Sequence, residues 1–316
     1  MREKIKKLKI FTLCLYNVII IMSVSNTEKE KILELKSIYD KLLKYNLRWL
    51  NEITISEIPE IVYNSNAIEN STLTLEETES IIFFDKIKKD HEAREIYEAK
   101  NLAKVIEVLQ SKENKKFSVE LILNLHRILL SWINDHIAWR FRSWDEWVRV
   151  WSHLWANPFF VNGLIYDLVD KYNHNRKSYF LDKIAYFHAE FETIHPFWDG
   201  NGRMWRVLIN KQLMDLWYPP IIIPNKNKHK DYYPLFDTYL LKNDFDGFSI
   251  LFARLLMESL HKRITLLTSK SVVSLNEWAK NNWKNVNSIL NMAKRQTVPA
   301  FRKGGKRMID ENFKLN

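Results

Sequence analysis

His195-Pro196-Phe197-Trp198-Asp199-Gly200-Asn201-Gly202-Arg203-Met204-Trp205-Arg206 places a titratable base, a carboxylate, two glycines, an amide and two arginines within twelve residues. One apolar-periodic run ends at Ile194 and another begins near Val207, so the stretch reads as a loop between a helix over 182–194 and one over 203–217. Gly200 and Gly202 permit positive φ, which lets successive backbone N–H groups converge into an anion-binding nest. The following helix directs its free N–H groups and positive dipole end into that nest. Arg203 and Arg206 are three residues apart and share one face of the first turn, where both reach phosphate oxygens through forked, charge-assisted hydrogen bonds. Asp199 is a hard oxygen ligand of the kind a Mg²⁺ shared with nucleotide phosphates takes. His195 supplies an imidazole, a base suited to proton abstraction at neutral pH. Together these residues imply attack by a hydroxyl on phosphorus.

The run His-Pro-Phe-x-Asp-Gly-Asn-Gly-Arg-x-x-Arg resembles the signature of the Fic family, enzymes that mostly transfer AMP from ATP to a protein hydroxyl. The resemblance implies His195 as general base, Asp199 as Mg²⁺ ligand, and Gly200, Asn201, Gly202 and Arg203 around the α- and β-phosphates, with Arg206 on the γ-phosphate. It implies ATP as co-substrate, a Tyr, Thr or Ser hydroxyl of a target protein as acceptor, and a homodimer. Upstream, Ser65-x-x-x-Glu69-Asn70 resembles the inhibitory motif of those Fic proteins that carry their own brake. In them the glutamate pairs with the second arginine of the signature, here Arg206, and takes the place of the γ-phosphate. Tyr232 and Tyr233 stand where the family borders its adenine pocket, although core packing suits at least one of them equally. Removal of AMP, transfer of another phosphate-containing group, and a DNA-binding regulator using the site as a nucleotide sensor are the alternatives.

Working outward, the segment 27–50 reads as an amphipathic helix entered through Thr27-x-x-Glu30, and 61–70 as a short helix that sets Ser65 and Glu69 one turn apart. Further helices follow over 75–84, capped by Thr74-x-x-Glu77, and over 91–109 and 118–133. Residues 139–162 alternate aromatic and polar side chains and include Asn157-Pro158, which predicts a β-hairpin with a loop. By resemblance it is the flap that aligns the substrate segment through strand addition. His136, His153 and His188 read as packing or surface residues.

The 316 residues suffice for a sizeable core, and the single cysteine, Cys14, excludes an internal disulfide. The formal charge of +10 sits at the ends: residues 1–9 carry a net of +4 and residues 262–316 a net of +9, leaving the middle slightly acidic. Residues 1–25 pair a basic cluster with an apolar stretch shorter than the ~20 residues of a membrane span. They read as a hydrophobic leader or as residues before a start at Met22; the chain reads as cytoplasmic, with an N-terminal membrane anchor as the alternative. Residues 264–316 read as a small basic module: two helices over 275–280 and 286–294 resemble a helix-turn-helix, and the segment 297–306 resembles the wing of excisionase-like and winged-helix domains. DNA is therefore a candidate partner, and packing on the core or on a protein is the alternative.

The expected architecture is mainly α: a possible leader over 1–25, N-terminal helices with the inhibitory motif over 26–74, a Fic-type helical core with a β-hairpin flap over 75–262, and the winged-helix-like domain over 263–316. One compositional feature cuts across it. The chain has 12 Trp and 6 Gly, where average usage would give roughly twenty-two Gly. Tryptophans stand at turns and helix ends, notably Trp139, Trp144, Trp147, Trp217 and Trp283, while Trp139, Trp151, Trp198, Trp205 and Trp217 occupy positions where Fic relatives commonly have Gly or another small residue. This is the pattern expected if UGA codons that specify glycine had been read as tryptophan.

Overall fold

The computed structural model describes residues 24–87, 91–111, 116–150 and 153–315. The expected leader falls almost wholly outside them, as does Trp151. Among the described residues no helix is long and apolar enough to cross a membrane.

The fold is mainly helical. Helix α1 (Asn26–Ser56) is capped two residues earlier than expected, because Ser25 and Glu28 form the reciprocal box instead of Thr27 and Glu30. Both pairs have the same spacing, and buried Val24 fixes the chain just ahead of Ser25. Helix α2 (Ile58–Ile68) follows with Pro59 in its first turn, then α3 (Leu75–Phe84), capped by Thr74 and Glu77 as the spacing predicts. Helices α4 (Ala93–Gln110) and α5 (Val119–Leu130) pack on each other. The hairpin is much smaller than expected. Strands β1 (Arg149–Val150) and β2 (His153–Leu154) pair antiparallel, and α6 (Pro158–His174) begins where the flap was expected to continue. Asn157 caps that helix, its Oδ1 accepting the Phe159 N–H at 3.0 Å, and Pro158 takes the first helical position.

Helices α7 (Phe180–Ile194) and α8 (Asn201–Asp215) flank the motif and run through the middle of the core, where Phe187, Phe191 and Phe197 are fully buried. Helices α9 (Lys228–Asp231), α10 (Tyr233–Lys242) and α11 (Asp246–Thr268) follow. Helix α11 packs on α1 and α7. A buried charge cluster ties it to the start of α2: Glu57 accepts from Arg263 and, at 2.8 Å, from Lys262, which also lies 3.5 Å from Glu60. Lys262 and Arg263 thus belong to the core, and part of the terminal positive charge is neutralised there.

Beyond α11 come β3 (Val272–Ser274), α12 (Leu275–Asn281), α13 (Val286–Lys294), β4 (Phe301–Lys303) and β5 (Lys306–Asp310), with antiparallel sheet order β3-β5-β4. Leu275, Trp278, Ile289, Val298 and Ile309 form a separate apolar cluster here.

Five tryptophans have positive φ: Trp132 (63°), Trp139 (63°), Trp144 (53°), Trp217 (60°) and Trp283 (54°). All five are exposed. A left-handed conformation costs a residue with a Cβ roughly 1–2 kcal/mol, so these are glycine-like positions occupied by the bulkiest side chain. Trp205 is different: it is buried inside α8 and packs, with tilted rings, against His188 and Tyr232.

Candidate active site

The loop between α7 and α8 is shaped by two left-handed residues. His195, at the C-terminal end of α7, has φ 50° and Gly200, at the start of α8, has φ 81°. The tight return they make leaves the first turn of α8 without a side-chain cap, so its N–H groups are available to an anion. Asn201 braces the loop: its amide donates to the Phe197 carbonyl at 2.8 Å and its Oδ1 accepts the Phe197 N–H at 2.9 Å. From this position its backbone N–H is what Asn201 can offer a phosphate. Phe197 points into the core, stacked on His126 with ring centroids 3.6 Å apart.

Several residues that no local pattern marks hold this loop. His126 of α5 lies 3.0 Å from the Asp199 carbonyl through Nε2, and burial pushes its pKa down to about 4, so it is a neutral brace. Arg142 clamps the other side. It donates to the carbonyls of His195 at 2.7 Å and Ile194 at 2.9 Å, and its Nη1 and Nη2 reach the Glu146 and Ala156 carbonyls on either side of the hairpin. One buried guanidinium therefore joins the flap to the end of α7. Trp155 stacks parallel to the His195 ring at 5.0 Å. Glu192 Oε1 is 3.2 Å from His195 Nδ1, close but not aligned as a hydrogen bond.

The charged residues of the motif converge. Asp199 Oδ1 accepts from the Gly200 N–H and from Arg203 at 3.3 Å, and Oδ2 accepts from Arg94 of α4. Burial works against its charge, but Arg203, Arg94 and the Gly200 N–H outweigh it and hold the carboxyl below the usual range. Arg203 is only 3% exposed, and its Nε meets no acceptor; Arg206 Nη1 is likewise buried without one. Buried arginine donors left without partners are what an anion site requires. Asp199 is the one carboxylate of the motif, and no cluster of three metal-ligating side chains occurs among the described residues. That donor set fits Mg²⁺, which binds through one or two carboxylates and takes its remaining ligands from phosphates and water.

Helix α2 covers this site. Arg206 donates to Ser65 Oγ at 2.8 Å, to the Ser65 carbonyl at 2.9 Å and to Glu69 Oε1 at 2.7 Å. Glu69 lies directly against the start of α8, where a Cβ built on Gly202 would overlap its carboxylate. A carboxylate thus sits where a phosphate would find both the helix N-terminus and the arginine. Asn70 Oδ1 accepts from Lys228, which also donates to the Ile68 carbonyl. The two candidate adenine residues diverge: Tyr232 is buried against His188 and Trp205, whereas Tyr233 is half-buried and donates to the Ile68 carbonyl at 3.0 Å.

Residues 116–213, which contain the whole motif, match the Fic/DOC family. A protein adenylyltransferase of Caenorhabditis elegans, fic-1, is 29% identical over 177 residues, 54% of this chain and 34% of that protein. The protein adenylyltransferase Fic of Drosophila persimilis is 30% identical with the same coverage. The chain thus spans about a third of the length of the curated relatives it matches. Among solved structures, a Fic domain-containing signaling protein from Bacteroides thetaiotaomicron superposes with a TM-score of 0.68 at 24% identity, over 74% of this chain and 96% of that one. A fragment of Fic-1 from Caenorhabditis elegans gives 0.67 at 25% identity, over 78% and 74%. The chain therefore carries a Fic domain, set in the mainly helical fold of Fic-family structures.

Proposed function

We propose that this chain is a protein adenylyltransferase that moves AMP from Mg·ATP to a Tyr, Thr or Ser hydroxyl of a target protein, and that Glu69 holds it off. The observation that carries the reading is the gathering of Asp199, Arg203 and Arg206 at the uncapped start of α8, on the same short loop as His195, with the Glu69 carboxylate lying on that start. When bound through Asp199, Mg²⁺ offsets the negative charge of the nucleotide's phosphates. The acceptor hydroxyl gives its proton to Nε2 of His195 as its oxygen bonds to the α-phosphorus. The bond from that phosphorus to the α,β-bridging oxygen breaks, and pyrophosphate leaves with the electron pair. Arg203, Arg206 and the N–H groups of Asn201 and Gly202 carry the developing charge, so positioning and electrostatics supply most of the rate. Glu69 opposes this by occupying Arg206 and the helix start. Label transfer from ATP tests the chemistry: Glu69→Gly protein takes label from the α-phosphate and none from the γ-phosphate, whereas γ-label on protein contradicts the mechanism.

A second reading concerns residues 269–315, whose element order and three-stranded sheet suit a winged helix-turn-helix that contacts DNA phosphates. Arg302 and Arg307 turn instead toward Glu258 of the core, leaving Lys280, Lys284, Lys294, Arg295, Lys303 and Lys306 exposed. Steeply salt-dependent DNA binding supports this role.

A further inference from the structure

Both charged groups of the motif that lie beside the loop are held by one turn of α4. Arg94 donates to Asp199 Oδ2 through Nη2 and to Glu98 Oε1 through Nε at 2.9 Å. Glu98 Oε1 is in turn 3.1 Å from Arg203 Nη1, and Arg203 Nη2 reaches Asp199 Oδ1 at 3.3 Å. The four side chains close a ring of alternating charge, two from α4 and two from the motif. They differ in freedom. Arg203 is buried at the bottom of the ring, whereas the Arg94 side chain is 52% exposed on its rim.

A cation bound by Asp199 needs a carboxylate lone pair aimed at it. Oδ1 is committed to the Gly200 N–H and to Arg203, both fixed by the backbone of α8. Oδ2 is held only by the exposed rim residue Arg94 among the contacts described. We infer that Arg94 is a resident counter-ion of Asp199, which a divalent cation displaces on binding. The bond from Nε to Glu98 keeps the released guanidinium tethered to α4, next to the site and outside it. Arg94 is thus a positioning residue on the metal side of the site, separate from Glu69 on the phosphate side: it occupies and orients Asp199 Oδ2 while the cation is away. The inference rests on the reading of Asp199 as the cation ligand.

Titration of the full chain with Mn²⁺ alone, followed by loss of the free-ion electron paramagnetic resonance signal at low salt, separates the two. Arg94→Ala tightens Mn²⁺ binding about threefold, the scale of a half-exposed ion pair. Lys100→Ala removes a positive charge two turns along α4, from a residue paired with Asp85 rather than Asp199, and leaves the affinity unchanged. Asp199→Asn loses the site in either background. Arg94→Ala binding no tighter than the parent overturns the inference, as does an equal gain in Lys100→Ala, which would make the effect one of general charge. Mn²⁺ binding that survives Asp199→Asn overturns the reading of Asp199 itself.

Discussion

Trp217 and Trp283 show how much a single residue type reveals. Each follows a helix with the hydrogen bonds of a left-handed C-terminal cap: Trp217 N–H to Met214 O and Tyr218 N–H to Leu213 O, and likewise Trp283 N–H to Lys280 O and Lys284 N–H to Ala279 O. Glycine is the ordinary occupant of that position. With the indole exposed, replacement by glycine relieves left-handed strain of ~1–2 kcal/mol and loses somewhat less to unfolded-chain entropy. Trp217→Gly and Trp283→Gly should each raise the free energy of unfolding by about 1 kcal/mol in denaturant titration. Trp205→Gly should lower it by several, on the order of 4 kcal/mol, because a buried ring in mid-helix is lost. The structure therefore divides the tryptophans singled out in the sequence. UGA at codons 132, 139, 144, 217 and 283 fits the recoding account, and UGG there contradicts it. At Trp198 and Trp205 no positive φ asks for glycine. The motif residues were legible because chemistry and spacing coincide within twelve positions. Arg94, His126 and Arg142 were not, since their partners lie 105, 73 and 53 residues away and a contact of that range leaves no local pattern.

Elements were legible where apolar period and cap agreed, as in α3 with its Thr74–Glu77 box. They were misread where a local pattern had two solutions. The aromatic alternation before Asn157 predicts a longer hairpin, but Asn-Pro is also a cap followed by a first helical residue, and burial of Val161, Ile165 and Leu168 decides for α6. Helix α11 carries a contact that gives its docking a pH dependence. His261 lies 2.8 Å from Gln296 Oε1, at the end of α13, while Lys31 of α1 donates to the Gln296 carbonyl at 2.6 Å. Burial pushes His261 down to about 4, against the bond to Gln296 and helped by nearby Lys31. The folded state keeps this ring neutral at pH values where the unfolded chain takes up a proton. Its stabilising contribution is therefore complete above about pH 6.5 and is lost as pH falls toward 4, amounting to about 3 kcal/mol. His261→Gln should flatten the fall in unfolding free energy across that window by one proton, read from denaturant midpoints at successive pH values.

At the scale of the whole molecule, the helical scaffold brings α2, α4, α5 and the hairpin around one loop, and the end of the covering helix places the Glu69 carboxylate against Gly202 and Arg206 at the start of α8. The sequence made that pairing readable through the Ser65–Glu69 spacing, while the packing that seats α2 over α8 emerges only from the fold. In the mechanism we propose, the site is complete and Glu69 alone withholds it. The most direct measurement is incorporation of label from α-labelled ATP by parent, Glu69→Gly and Glu69→Gly/His195→Ala proteins at equal concentration with Mg²⁺. Strong incorporation by Glu69→Gly, at least about tenfold above the parent, and none by the double variant is the expected result. Equal incorporation by parent and Glu69→Gly would contradict the brake, and incorporation that persists without His195 would contradict the mechanism.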